Sequence, residues 1–118
     1  MQVMERLQDD VLILVISGKV NFYSRKVFQA VIRNASATSA QHIIINMKDV
    51  TSMDSAALGF LALAHLSLVG KNIGLSLVAP PKPIKDMLEQ MNFTKFIPTY
   101  ETEKQVLCER AFVLGNQS

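Results

Sequence analysis

An aspartate and a serine stand side by side where an apolar strand gives way to an apolar helix. Asp54 and Ser55 follow a predicted buried strand, 42–47, and a short polar segment, and the pattern predicts that they open a helix reaching about Val69. A helix start favours anions, because its unpaired N–H groups and the helix dipole point at them. A phosphoryl group on Ser55 would gain from that field and be repelled by Asp54. The pair therefore predicts a charge switch on a binding surface.

The simplest alternative is an ordinary helix cap with no regulatory role, because Asp and Ser are preferred residues at that position. The following residues make the helix start unusual. Ala56, Ala57 and Gly59 are small, which lets the backbone of another protein approach closely. The helix is also apolar around nearly its whole axis, whereas a helix on a small sheet usually has one apolar stripe. Either neighbouring helices cover it, the favoured reading for its C-terminal half, or apolar surface remains for a partner.

Catalytic chemistry has little support in the sequence. Ser55 lacks a Gly-x-Ser-x-Gly elbow, and neither a Gly-x-Gly-x-x-Gly motif nor a Walker loop occurs. His42 begins a predicted strand, and His65 is expected to be a packed or rim residue of the second helix, with no Cys/His cluster for zinc. The segment 17–19 lacks the acidic cluster of a receiver domain. We predict no catalytic residue, no metal ligand and no cofactor, and an enzyme with an unrecognised site is the least favoured alternative.

Composition indicates one folded domain. The chain has 118 residues, 49% of them hydrophobic, and a formal net charge of +2 without a basic patch for nucleic acid. The single cysteine, Cys108, excludes an internal disulfide, fits a reducing cytosol and is expected to be partly buried. The N-terminus does not resemble a signal peptide, and the longest apolar run, 56–69, is shorter than the ~20 residues that span a bilayer. We therefore predict a cytoplasmic protein without membrane insertion.

Apolar periodicity predicts the elements that position Asp54 and Ser55. The order is β-β-α-β-α-β-α-β-α, which indicates an α/β (α+β-like) class with a mixed sheet of four to five strands, an antiparallel first hairpin and about four helices packed on it. The domain is expected over 1–114, with a flexible tail at 115–118. The predicted strands cover 3–7, 11–16, 42–47, 73–78 and 96–97, and the predicted helices cover 22–35, 54–69, 84–91 and 102–113.

Several turn residues carry their own predictions. Gly18 is expected to end the second strand, and Gly70 to be a left-handed C-cap after the second helix. Asn21 or Ser24 can cap the first helix. Thr102 and Gln105 match a capping box that opens the last helix.

The order of elements and the segment 43–59 resemble a STAS domain, the fold of bacterial anti-sigma factor antagonists. The resemblance covers roughly residues 3–113. Weaker support comes from 17–21 and 70–73. The most specific motif is Asp49-Val50-Thr51-Ser52-Met53-Asp54-Ser55-Ala56-Ala57-Leu58-Gly59.

The resemblance implies a partner-switching role. In that family the serine of the Asp-Ser pair, here Ser55, is phosphorylated by a serine kinase with a histidine-kinase-like ATPase fold that is also the anti-sigma factor. The unphosphorylated form binds this kinase and releases its sigma factor, and a PP2C-type phosphatase restores the hydroxyl. The partner-binding surface is accordingly expected at Asn21, Phe22, Tyr23, the loop Thr51, Ser52 and Met53, and Asp54, Ala56, Ala57 and Gly59.

The chain departs from the usual family pattern at several positions. Asn21 and Asn46 stand where the family often has aspartate, which keeps turn-forming capacity and removes charge. Ala56 and Ala57 replace a Ser-Gly or Thr-Gly pair. The same fold can also serve as a constitutive accessory subunit of a lipid transporter ATPase or of a stress-signalling assembly, in which case Ser55 would be only a cap.

Overall fold

A five-stranded mixed sheet forms the centre of the molecule. The computed structural model describes the backbone of residues 1–115 and the side chains of residues 1–112. Of the predicted tail 115–118, Gly115 ends a helix, and residues 116–118 lie outside the described residues. The strands follow one another across the sheet in chain order; the first pair is antiparallel and the others are parallel. This confirms the predicted mixed sheet with its antiparallel hairpin. The strands are β1 (Gln2–Gln8), β2 (Val11–Val20), β3 (His42–Met53), β4 (Gly74–Val78) and β5 (Thr99–Tyr100).

Within residues 1–115, four α-helices and two short 3₁₀ turns connect or follow the strands. The first helix is shorter than predicted, because its first turn, Phe22–Ser24, is a 3₁₀ turn. A second 3₁₀ turn, Phe93–Lys95, follows the third helix. The helices are α1 (Arg25–Ser36), α2 (Ser55–Val69), α3 (Lys82–Gln90) and α4 (Glu103–Gly115).

Strands β2 and β3 are buried on both faces, which explains their apolar runs 11–16 and 43–45. Residues such as Leu14 and Ile45 point to the face that α1, α2 and α3 cover. Ile13 and Ile44 point to the opposite face, where Val106 of α4 packs against them. Each such side chain contributes roughly 1.5–3 kcal/mol by leaving water.

Strands β2 and β3 are both longer than their apolar runs. The prediction that Gly18 ends β2 is wrong, because Gly18 takes φ +86° inside the strand and register shifts flank it. Two bulge-like irregularities therefore let β2 continue to Val20, and β3 continues beside it to Met53. The predicted loop 51–53 is consequently strand. The extension carries the chain directly to Asp54.

Two further turn predictions are wrong. Gly70 is right-handed with φ −61°, and Asn72 takes the left-handed conformation with φ 59°. The predicted strand 96–97 is absent from the described structure, because the chain leaves the 3₁₀ turn there and pairs with β4 only as β5, after Pro98. The capping box of α4 is confirmed: the Gln105 N–H donates to Thr102 Oγ1, and the Thr102 N–H donates to Gln105 Oε1.

Two expectations concerned side-chain burial. Cys108 is exposed rather than partly buried, since α4 turns Val106 to the sheet and Cys108 to solvent. His65 is half-buried with its ring 5.3 Å from that of Phe96, as expected for a rim residue. Across residues 1–115, the helices lack the combination of length and apolarity needed to cross a membrane.

Candidate functional site

Ser55 lies at the first position of α2, two residues after the end of β3. Asp54 is the N-cap, with extended backbone angles, and its Oδ1 accepts the N–H of Ala57 at 3.0 Å. The Ser55 side chain is exposed. The hydroxyl is therefore at the positive end of the α2 dipole, on the solvent side of a capped helix start.

The start of α1 is joined to this position. The Phe22 N–H donates to Asp54 Oδ2 at 3.2 Å, and the Asp54 N–H donates to the Val20 carbonyl at 3.3 Å. Asn21 caps the 3₁₀ turn, because its Oδ1 accepts the Tyr23 N–H at 2.9 Å. The expectation that Asn21 caps this segment is confirmed. Two turns that are far apart in the chain thus form one surface.

Two aromatic side chains project from this surface. Tyr23 is 89% exposed, and its ring packs edge-to-face against that of Phe22 with the centroids 5.7 Å apart. Gly59 is exposed one turn after Ser55, and a Cβ added there would meet no atom within 4 Å. Exposed aromatic groups beside small residues are typical of a protein-binding surface.

The structure places the other predicted contact residues at two depths. Thr51 and Ser52 are exposed at the end of β3, and Ala56 is half-buried. Met53 and Ala57 are only 9% and 1% exposed and belong to the core. Their side chains support the surface from beneath. The prediction that these two side chains contact a partner directly is therefore withdrawn. The small size of Ala57 serves the packing of α2 against the sheet.

A buried amide, for which the sequence predicted no contact, lies on the α4 face of the sheet. Asn46 is 5% exposed; its Nδ2 donates to Glu103 Oε2 at 2.7 Å, and its Oδ1 accepts the Lys48 N–H. Glu103 also forms an ion pair with Arg6. An amide fits here because it donates to the carboxylate of Glu103, whereas an aspartate would repel it.

A second polar pair lies at the opposite end of β3. His42 Nε2 and Ser76 Oγ are 2.7 Å apart, and the Ser76 side chain is buried. Burial, and secondarily the nearby charge of Arg110, lowers the pKa of His42 to about 4, whereas Asp10 and Glu109 act in the opposite direction. A buried hydroxyl bonded to a neutral imidazole suits a structural contact within the sheet face.

The same face of the sheet holds a tyrosine with a perturbed phenol. Burial and a hydrogen bond with Glu109 raise the pKa of Tyr100 to about 12. Among residues 1–112, no three His, Cys, Asp or Glu side chains converge in a metal-binding arrangement. No sequence signal marked the His42–Ser76 and Asn46–Glu103 pairs, since each joins residues that are far apart in the chain.

Comparison with known proteins identifies the fold. Residues 2–106 match the sequence profile of the STAS domain. A search of curated proteins finds no match.

Solved structures share the architecture at low sequence identity. An anti-sigma factor antagonist from Mycobacterium paratuberculosis is 22% identical, with a TM-score of 0.83 and 92% of each chain covered. The Bacillus cell fate determinant SpoIIAA in its phosphorylated form is 14% identical, with a TM-score of 0.71 over 92% of this chain and 98% of that one. A sulfate transporter family protein from Wolinella succinogenes is 16% identical, with a TM-score of 0.78 over 93% and 92%. At these identities the likeness establishes the fold.

Proposed function

Because the chain belongs to the STAS domain family, we propose that it is a phosphorylation-controlled anti-sigma factor antagonist whose switch is Ser55. Unphosphorylated, it binds a cytoplasmic serine kinase that has a histidine-kinase-like ATPase fold and acts as the anti-sigma factor. The kinase transfers the γ-phosphoryl group of ATP to Ser55 Oγ, which leaves ADP and a proton. A PP2C-type phosphatase hydrolyses the phosphoester and restores the hydroxyl.

One observation carries this proposal: the exposed hydroxyl of Ser55 lies beside a carboxylate that is already fixed. Both oxygens of Asp54 accept backbone N–H groups, one from each of two segments. The carboxylate therefore stays beside Ser55. A phosphoryl group adds about −1.5 to −2 charges at this point.

The added charge works against docking. The surrounding surface is apolar or small at Phe22, Tyr23 and Gly59, so a close partner would remove the phosphoryl group from water. Burying such a charge without a paired cation is strongly unfavourable. A penalty of about 3 kcal/mol already weakens binding more than a hundredfold. Phosphorylation would therefore release the partner.

The test is binding of a serine kinase of this fold, from the same organism, to three variants that each change one serine. Ser55→Ala should bind like the unmodified protein, and Ser55→Asp should bind much more weakly. Ser39→Asp is the matched control, because Ser39 is exposed in the α1–β3 connection, at the opposite end of β3. If Ser55→Asp and Ser39→Asp bind equally well, the switch is refuted.

A steric variant tests the same surface without charge. Gly59→Leu adds a side chain into open space, so the fold is expected to tolerate it. The added volume stands on the solvent face of α2, one turn from Ser55, and should obstruct a partner there. Unchanged affinity for the kinase would remove Gly59 from the docking surface.

A constitutive accessory role is the second candidate. It is favoured by the exposed apolar residues of α2, namely Leu63, Leu66 and Val69, and by the shared fold of a sulfate transporter family protein. Partial cover of the C-terminal half of α2 was the prediction, and the structure agrees with it: Ala64 and Leu68 are buried, whereas these three side chains stay exposed. A stable complex that forms equally with phosphorylated and unphosphorylated Ser55 would support this role over the switch.

A further inference from the structure

A groove separates α1 from α2 on the outside of the molecule. Its volume is about 270 Å³. The rings of Phe28 and Phe60 form part of its apolar lining, with their centroids 6.0 Å apart, and Ile32 and Ala64 continue that lining along the two helices. Both helices are crossovers between parallel strands, so they run side by side in the same direction and the groove follows their length.

Two cations lie at the end of the groove that is far from Ser55. Arg33 is in the last turn of α1, and Lys71 follows the end of α2. The Lys71 ammonium group donates to Ser36 Oγ at 3.1 Å. Within the described part of the chain, no carboxylate lies within salt-bridge distance of either cation, and no acidic residue lines the groove. The groove therefore combines apolar residues with the uncharged polar side chains of Gln29, Ser36 and Ser67, and it is positive at one end.

The exposed face of α2 connects this groove with Ser55. Ser55, Gly59, Ala62 and Leu66 recur at i, i+4, i+7 and i+11, which places them on one face of the helix. Leu66 is 65% exposed, and Leu63, 61% exposed, lies between this face and the groove, which it also lines. A partner seated over Ser55 would therefore meet a continuous apolar surface that leads into the groove.

We propose that the groove binds an amphipathic helix of the partner protein. Its apolar residues pack against Phe60, Leu63 and Leu66, and its acidic residues lie at the end that faces Arg33 and Lys71. This inference rests on the proposed function in one respect: the helix belongs to the protein that docks over Ser55. The groove adds a second contact to the surface around Ser55, and its two cations select a helix with acidic residues.

Volume and shape favour a helix over a free small amphiphile. The groove is slightly smaller than the roughly 300–1,000 Å³ that sites for drug-sized ligands occupy. Leu66 is exposed outside the groove lining, so a small molecule within the groove would leave it in water. A helix laid along the groove would bury it together with Leu63.

The direct test is an NMR titration of the full chain with two synthetic amphipathic helical peptides. Both carry leucines at i, i+3, i+4 and i+7, and they differ only in having two glutamates or two lysines at one end. The acidic peptide should shift the amides of Phe60, Leu63 and Ser67 and bind at least tenfold more tightly than the basic one. The double variant Arg33→Glu/Lys71→Glu should reverse that preference, because the positive end becomes negative.

Three results would overturn the inference. These are equal affinity for the two peptides, shifts confined to residues outside the groove, or binding of sodium decanoate at the groove without binding of the acidic peptide. The third result would assign the groove to a free amphiphile. Arg33 and Lys71 are at the surface, so a circular dichroism melt should confirm that the Arg33→Glu/Lys71→Glu variant remains folded.

The kinase distinguishes this inference from the proposed function. If it binds Leu63→Asp/Leu66→Asp as tightly as the unmodified chain but is lost with Ser55→Asp, the switch stands and the groove contact is refuted. If the kinase binds Ser55→Asp normally but binds Leu63→Asp/Leu66→Asp at least tenfold more weakly, the groove contact stands and the switch is refuted.

Discussion

Asp54 Oδ2 accepts a hydrogen bond from the backbone N–H of Phe22 at 3.2 Å, although the two residues are 32 positions apart in the chain. Through its other oxygen, Asp54 caps α2 beside Ser55. The aspartate next to the serine is thus a structural link between two segments as well as a charge. This link holds the exposed aromatic pair of Phe22 and Tyr23 beside the first turn of α2.

Substitution of Asp54 should separate its two roles. Asp54→Ala removes both acceptors and should lower the free energy of unfolding by about 1–2 kcal/mol. Asp54→Asn should lower the free energy of unfolding by less, because its side-chain oxygen can still accept the Ala57 N–H. Its NH₂ group cannot accept the Phe22 N–H, so that hydrogen bond is lost. Urea unfolding measures the stability, and hydrogen exchange of the Phe22 amide reports the link. Exchange as slow as in the unmodified protein, in both variants, would contradict the link.

The contact between Asn46 and Glu103 predicts a penalty for the family's usual aspartate. Asn46→Asp places a second carboxylate where Asn46 Nδ2 donates to Glu103 Oε2 at 2.7 Å. The change should lower the free energy of unfolding by about 1–3 kcal/mol at neutral pH. Glu103→Gln should restore most of that loss, because its amide can donate to the new carboxylate. Thermal unfolding of the single and double variants measures the coupling. Asn34→Asp, on the exposed surface of α1, is the control, and an equally small effect at both positions would refute the repulsion.

Gly74 is required by the position of His42. A Cβ at Gly74 would lie 2.3 Å from His42 Nδ1, so the ring would have to move and would lose its contact with Ser76. Gly74→Ala should therefore lower the free energy of unfolding by about 1–3 kcal/mol. The same change should cost much less in a His42→Ala background, and a double-mutant cycle measures the difference. Additive effects of the two substitutions would show that the ring does not determine the cost.

His42 should make stability depend on pH. Its pKa is about 4 in the folded chain against 6.5 for the free side chain, so between these values the unfolded chain binds more protons. The free energy of unfolding should therefore fall as pH decreases through this window, by at most about 1.4 kcal/mol per pH unit from this group. Urea titrations across the window should show a shallower slope for His42→Gln. An identical slope in both proteins would exclude His42 as the source.

Local sequence patterns were sufficient for the features nearest to Ser55. The apolar runs 11–16 of β2 and 43–45 of β3 have no polar interruption because both faces of these strands are covered, and such runs are recognisable in a sequence. The helix start at Asp54 was equally recognisable, because a capping residue precedes a long apolar segment. These two signals fix the position of Ser55 between the end of β3 and the start of α2.

Features that depend on contacts between distant segments were not predictable. β3 extends to Met53 because its backbone pairs with the end of β2, and apolar periodicity carries no information about that pairing. The burial of Met53 and Ala57 follows from the same extension and from how α2 sits on the sheet. The bonds of Asn46 with Glu103 and of His42 with Ser76 likewise depend on which strands and helices become neighbours.

The affinity of the kinase for the chain before and after phosphorylation tests the central claim most directly. The chain would be phosphorylated by the kinase with ATP, Ser55 confirmed as the modified residue by mass spectrometry, and both forms titrated into nucleotide-loaded kinase by calorimetry. We expect the phosphorylated form to bind at least about a hundredfold more weakly, which corresponds to roughly 3 kcal/mol. Equal affinity of the two forms, or modification only at another residue, would contradict the proposed switch.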